Sequence, residues 1–118
     1  VNMMKHIVIW RLKEHAEGHD RNTNGRLIKE QLKALRGVIP GLVKLEVGLE
    51  LDNQHPEQGH VVLYSVFENR VSLQTYLSHP QHKKVAAFIK AVTEDRRCVD
   101  YEMFATTGGY EHTGRTPL

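Results

Sequence analysis

The chain has 118 residues, of which 40% are hydrophobic and 25% are charged, with a formal net charge of +2. This balance predicts one globular domain, and the interspersed charges predict no nucleic-acid partner. No apolar run is long enough for a membrane span, and the first residues lack a signal-peptide layout, so a cytoplasmic location is expected. The single cysteine, Cys98, predicts no disulfide and no cysteine-based zinc site, and we interpret it as a small packing residue.

The first predicted element is a strand from Met3 to Lys13, followed by a polar connection over 14–24. Residues on both faces of this strand are apolar near its middle, which is typical of a strand buried on both sides. One face carries His6, Val8, Trp10 and Leu12.

The next predicted elements are a helix over Arg26–Arg36 and a strand over Leu42–Leu51. Apolar residues recur along the helix at spacings of three and four, and Gly37 follows where a helix C-cap would lie. The strand alternates between apolar and polar or charged positions, which predicts one buried face. That face consists of Val43, Leu45, Val47, Leu49 and Leu51.

The second half of the chain predicts a strand over His60–Phe67, a helical stretch over 69–92 and a last strand over 94–105. The helical stretch contains Pro80, which lacks an N–H and disfavours α geometry in the residue before it. The helix should therefore break at His79, with Pro80 opening a second segment. Residues 106–118 show no periodicity and are predicted to be a loose or partner-dependent tail after a domain of residues 1–105.

The order β-α-β-β-α-β predicts an α+β, ferredoxin-like fold, a four-stranded antiparallel sheet with two helices on one face. The other sheet face would be bare in a monomer, although the first and third strands are apolar on both sides. Large exposed apolar surfaces mark interfaces. We therefore predict a homodimer in which two sheets pack face to face.

The residues around the helix break point to chemistry. His82 lies three residues before Val85 in the buried stripe of the second segment, and Tyr76 lies in the stripe of the first. His6 joins them if its strand face is the one covered by helices, whereas His79 is predicted to be the N-cap. Imidazoles exchange protons near neutral pH and a phenol can donate to an enolate. This trio would suit general-base catalysis on a carbonyl compound without a metal or a cofactor.

Other interpretations of the histidines and aromatic residues stay open. Tyr76 and His82 would also suit a packed core in which their polar ends are satisfied. A metal bound by His6, His79 and His82 is disfavoured because no acidic residue shares their stripe. The remaining histidines lie in or beside polar connections and are interpreted as solvated; they are His15, His19, His55, His60 and His112.

Several segments carry a family resemblance through their order and spacing. They are KHIVIWRLK at 5–13, VIPGL at 38–42, LEVG at 45–48, FE at 67–68, YLSHPQH at 76–82 and VDYE at 99–102. Together they resemble the stress-responsive A/B barrel family of dimeric α+β barrel proteins. The resemblance implies a ferredoxin-like protomer that dimerises through its sheet into a barrel.

The resemblance also implies site residues, because one plant member of the family is a cofactor-free polyketide cyclase. Its catalytic tyrosine and histidine correspond to Tyr76 and His82, and His6 matches a further histidine. Leu32 and Val61 stand where that cyclase has a tyrosine and a histidine, so its substrate is not carried over. Residues expected to bind a small hydrophobic or polyketide-like ligand are His79, Trp10, Leu32, Val61, Leu63 and Val85.

Three functions therefore compete. The first is a small-molecule-binding protein with cyclase-like or lyase-like general-base chemistry. The second is a non-catalytic stress or assembly protein. The third, from relatives of similar architecture, is a cofactor-independent monooxygenase or a haem-binding protein in which His82 would be the candidate haem ligand.

Overall fold

The computed structural model describes residues 2–106 and 109–112. The strands of this part are β1 Met3–Leu12, β2 His15–Ala16, β3 His19–Asp20, β4 Leu42–Leu49, β5 Val61–Phe67, β6 Thr93–Thr106 and β7 Gly109–His112. Its helices are α1 Arg21–Lys33, α2 Arg70–Ser78 and α3 Pro80–Val92. None of the described helices is long and apolar enough to cross a membrane.

An antiparallel sheet with the strand order β4-β5-β1-β6-β7 forms the centre of the fold. Strands β4, β5, β1 and β6 of this sheet and the three helices give the ferredoxin-like α+β fold. The predicted fold class is therefore confirmed. The fifth strand, β7, pairs with the last four residues of β6, Met103 to Thr106, and so covers that end of the sheet edge. Residues 109–112 of the predicted tail form this short strand, while residues 107–108 and 113–118 lie outside the described residues.

The hydrophobic core lies between one face of the sheet and the helices. Alternate residues of β1 are buried on that face, and those between them are more accessible. Burial of β1 on both sides is therefore not found in the single chain, because Ile9 is exposed on the other face. The core residues that β1 and the three helices contribute are Met4, Val8, Trp10, Leu12, Ile28, Leu32, Leu73, Tyr76, Val85, Ile89 and Val92.

The first helix begins earlier than its apolar pattern predicts. Asp20 is its N-cap and accepts a hydrogen bond from the Thr23 N–H at 2.8 Å, so α1 starts at Arg21 instead of Arg26. The buried Asn24 side chain donates to the Ala16 and His19 carbonyls, which holds the helix against the β2–β3 hairpin. The predicted polar connection is therefore ordered by hydrogen bonds that hydrophobic periodicity does not reveal.

Three predictions about individual side chains are corrected. Val43 is exposed, because the register of β4 shifts between Leu42 and Lys44. His60 is buried instead of solvated, since its Nδ1 accepts the Leu12 N–H and its Nε2 lies 3.0 Å from the Asn53 carbonyl. Cys98 is exposed rather than packed in the core, because the helices leave this part of β6 open.

Candidate functional site

The break between α2 and α3 fixes one wall of the site. His79 has extended backbone angles (φ −67°, ψ 135°) and its Nδ1 accepts the Gln81 N–H at 3.1 Å. Its own N–H donates to the Tyr76 carbonyl at 3.1 Å. His79 is therefore the N-cap that the sequence predicts, and it sets the position of the first turn of α3, which carries His82.

A cavity of about 530 Å³ lies between the sheet and the helices. His79 and Val61 do not line it, because His79 is engaged in capping and Val61 is buried elsewhere in the core. The other predicted site residues do line it, namely His6, Trp10, Leu32, Leu63, Tyr76, His82 and Val85. Further residues on its wall are Val8, Ala86, Ile89, Lys90, Thr93, Glu94, Asp95 and Arg96.

Tyr76 lies between the two histidines of the predicted trio. Its ring centroid is 4.2 Å from that of His82 and 5.9 Å from that of His6. Tyr76 is fully buried, yet neither its hydroxyl nor the buried Nδ1 of His82 has a hydrogen-bond partner among the described residues. A buried polar group left unpaired costs about 1–3 kcal/mol, so a core whose polar ends are satisfied does not describe this pair.

Burial determines the protonation of both groups. Burial lowers the pKa of His82, and the nearby His6, Arg96 and His79 lower it further, whereas the Leu77 backbone acts in the opposite direction. Burial also raises the pKa of the Tyr76 phenol. At neutral pH His82 is therefore a neutral imidazole able to accept a proton, and Tyr76 keeps the proton that it can donate.

Asp100 and Cys98 are neighbours of the site that sequence reasoning missed. The Asp100 Oδ1 lies 2.5 Å from the His6 Nδ1, and the Cys98 Sγ lies 3.8 Å from the same nitrogen. Burial and the Asp100 carboxylate raise the pKa of the Cys98 thiol. The only signal in the sequence is that these residues alternate with apolar ones on β6, and it does not reveal that Asp100 pairs with His6 in register.

Comparison with known proteins identifies the family. The family described as the Stress responsive A/B Barrel Domain matches residues 4–103. The chain belongs to this family. A search of curated proteins finds no match.

Solved structures similar to this A/B barrel domain share its fold. A dimeric, ferredoxin-like protein of unknown function from Bacteroides fragilis is 34% identical, with a TM-score of 0.71 over 85% of this chain and 95% of that chain. Hydroxynitrile lyase from Passiflora edulis is 16% identical (TM-score 0.72; 88% and 95% covered). A cofactor-independent oxygenase from Streptomyces nogalater is 13% identical (TM-score 0.68; 91% and 98% covered). The last two show the fold alone, whereas the dimeric relative supports a homodimer.

The open end of the cavity in this A/B barrel domain is charged. Glu94 forms an ion pair with Arg11 at 3.1 Å, and Asp95 forms one with Arg97 at 3.6 Å. The exposed cations Lys90 and Arg96 form no ion pair within the described residues. The rim therefore presents an excess of positive charge above apolar walls.

Proposed function

We propose that this A/B barrel domain binds a small, mainly apolar carbonyl compound and catalyses proton transfer on it, with His82 as general base and Tyr76 as proton donor. The observation that carries the proposal is the pair of unpartnered polar atoms on two side chains that line one cavity. A ligand would supply the partners that the described residues do not.

The proposed step moves one proton, from the ligand to His82. The neutral His82 Nδ1 takes a proton from the carbon beside the carbonyl, and the electron pair of the C–H bond moves into the enolate. The Tyr76 hydroxyl donates a hydrogen bond to the enolate oxygen, whose negative charge it stabilises. Neither atom is exposed, so the half-buried His82 ring must turn toward the cavity when the ligand enters.

The chemistry of the cavity defines the ligand class. Its deep walls are aliphatic and aromatic, which favours a hydrophobic body, and polyketide-like compounds have this character. Lys90 and Arg96 at the open end favour an anionic group on the opposite end of the ligand. This arrangement supports an amphipathic acid with a reactive carbonyl.

We further propose that the homodimer forms through the open face of the sheet. Ile7 lies opposite both Tyr64 and Val99 in register, and Ile9 lies opposite Val62. Ile9, Val62 and Val99 are exposed in the single chain, so the row is a continuous apolar surface. The cytoplasmic location expected from the sequence stays a prediction.

Exchange of α-hydrogens for deuterium tests the proposed chemistry directly. The probe is 2-tetralone in D2O, with exchange followed by NMR and binding followed by saturation transfer. Wild-type protein should exchange the α-hydrogens faster than an equal concentration of free imidazole. We expect His82→Gln to reduce the protein-dependent exchange rate by at least about a hundredfold, because a general base typically contributes that much to the rate. Tyr76→Phe should reduce the exchange rate by about tenfold.

His19→Gln is the matched control, because His19 is exposed on the β2–β3 hairpin away from the cavity. Its exchange rate should equal that of wild type. If 2-tetralone binds but exchange is unchanged in His82→Gln, the general-base role is wrong. If the substitutions alter only stability, the non-catalytic stress or assembly function is favoured.

A further inference from the structure

Three metal-ligating atoms converge where β1 meets β6, on the face of the sheet that carries the core. They are the Nδ1 of His6, the Sγ of Cys98 and a carboxylate oxygen of Asp100, all within 4.8 Å of one another. The Sγ of Cys98 lies 3.8 Å from His6 Nδ1 and 3.6 Å from Asp100 Oδ1. Cys98 and Asp100 project from the same face of β6, and Asp100 stands directly opposite His6 in the ladder.

The arrangement does not suit a Cys-His-Asp proton relay. In such a relay the nucleophile and the acid contact different nitrogens of the imidazole. Here both the thiol and the carboxylate meet the same nitrogen, Nδ1. Convergence of three different donor atoms on one point is the arrangement of a metal chelate.

We propose that His6, Cys98 and Asp100 form a site for a divalent transition metal, with Zn²⁺ as the preferred ion. Bonds of about 2.0–2.3 Å around tetrahedral zinc place donor atoms roughly 3.3–3.6 Å apart. The two distances to sulfur already approach that range. The hydrogen-bonded pair His6–Asp100, at 2.5 Å, must open by about 0.8 Å to admit the ion.

The surroundings hold one ligand rigid and leave a path for the ion. The buried ring of His6 packs edge-on against Tyr76 and Phe67, so its orientation is fixed. The Asp100 side chain is 37% exposed and Cys98 is exposed, so an ion can reach them from solvent. Three protein ligands with solvent on one side leave a fourth position for water, as in zinc sites that are not closed.

This site differs from the metal site that the sequence disfavoured, although both include His6. That alternative combined His6 with His79 and His82, and no acidic residue shares their stripe. The present cluster uses only His6 of that set, and its other two ligands come from β6. A single cysteine is sufficient for this metal site, because His6 supplies a nitrogen ligand and Asp100 an oxygen ligand.

Titration of the untagged protein with Co²⁺ tests the proposal without any substrate. A thiolate bound to Co²⁺ gives a near-ultraviolet charge-transfer band, and tetrahedral coordination gives intense visible bands. Both should saturate at one ion per chain and disappear when Zn²⁺ is added. Cys98→Ser should remove the charge-transfer band, and Asp100→Asn should weaken Co²⁺ binding at least about tenfold.

Asp95→Asn is the matched control, because Asp95 is another exposed acid of β6 outside the cluster; its titration should match wild type. X-ray absorption of the zinc-loaded wild-type protein gives a second readout that needs no variant, with one sulfur expected among the zinc ligands. The proposal is overturned if wild type gives no charge-transfer band, if zinc has no sulfur ligand, or if Asp100→Asn binds Co²⁺ as tightly as wild type.

Discussion

Tyr76 combines a fully buried ring with a hydroxyl that has no hydrogen-bond partner among the described residues. Such a group destabilises the folded state, because it loses its hydrogen bonds to water without replacement. We expect Tyr76→Phe to raise the free energy of unfolding by about 1 kcal/mol while it reduces proton exchange. Urea unfolding of the two proteins measures the difference.

Tyr64→Phe provides the comparison for this prediction. Tyr64 is half-buried on the open face of the sheet, where Lys5 and Lys44 lie 5.5 Å from its ring. Its replacement should change stability little. If Tyr76→Phe instead lowers the free energy of unfolding, its hydroxyl has a structural partner and the proposed role of this residue is contradicted.

His60 makes stability depend on pH. Its Nδ1 accepts the Leu12 N–H, which requires a neutral ring, and burial lowers the pKa of His60 from its ordinary 6.5. Above about pH 6.5 the ring is neutral in both states and adds no pH dependence; below it the unfolded chain takes the proton first, so stability falls. The loss is at most about 1.4 kcal/mol per pH unit for one group.

Urea unfolding between pH 8 and pH 5 checks this prediction. His82 contributes in the same direction, because burial lowers the pKa of His82 too. His60→Gln should flatten part of the pH dependence, and a further His82→Gln change should flatten more. His55→Gln is the control, since His55 is exposed in the same loop. An unchanged pH dependence in His60→Gln would contradict the assignment.

Sequence register predicted which way several site residues face, but not their partners. The helical spacing between His82 and Val85 was sufficient to place His82 inward. The alternation of residues along β1 was sufficient to place His6 inward, because both periodicities are local. The partners of His60 and His6, Leu12 and Asp100, lie 48 and 94 residues away in the chain. Those contacts depend on strand pairing, which one sequence does not specify.

The first turn of α3 depends on the side chain of its N-cap. His79→Ala removes the acceptor of the Gln81 N–H, and loss of a cap costs about 0.5–2 kcal/mol. Because this cap also positions the turn that carries His82, we expect the same change to reduce proton exchange. Urea unfolding and 2-tetralone exchange, measured on one preparation, give both effects.

Asn69→Ala is the matched control, because Asn69 caps α2 by the same kind of hydrogen bond, to the Ser72 N–H. It should cost similar stability and leave exchange near the wild-type rate. His79→Asp keeps an acceptor at the cap and should restore both properties. Equal losses of exchange in His79→Ala and Asn69→Ala would show that the effect is only one of general stability.

The sequence could predict those helix and strand boundaries that depend on the residues next to them in the chain. The break at His79 was predictable because proline restricts its own residue and the one before it. The start of α1 was missed because Asp20 extends the helix through residues with little apolar character. Strand β7 was missed because it is defined by pairing with β6, and its own residues show no periodicity.

The whole fold does not select the chemistry of this protein. A hydroxynitrile lyase and a cofactor-independent oxygenase share its architecture, and a fold that carries several reactions leaves the choice to the side chains in its cavity. The A/B barrel family therefore explains the sheet, the helices and the position of the cavity. Tyr76, His82 and the cations at the rim are the side chains of this cavity on which the proposed chemistry depends.

The proposed dimer interface on the open face of the sheet predicts the state of association. A dimer through this face would bury Val99, which is 52% exposed in the single chain. Wild type should sediment at twice the chain mass of 13.5 kDa. Val99→Lys places a charge in the apolar row, on a face that already carries Lys5 and Lys44, and should sediment as a monomer at micromolar concentration.

Val71→Lys is the matched control, because it adds the same charge to the surface at a position outside the proposed interface. Val71 is 73% exposed on α2, away from the sheet, so this variant should remain a dimer with the wild-type sedimentation coefficient. Circular dichroism establishes that both variants are folded. A folded Val99→Lys protein that stays dimeric would exclude this face as the interface, and a monomeric wild type would exclude the homodimer.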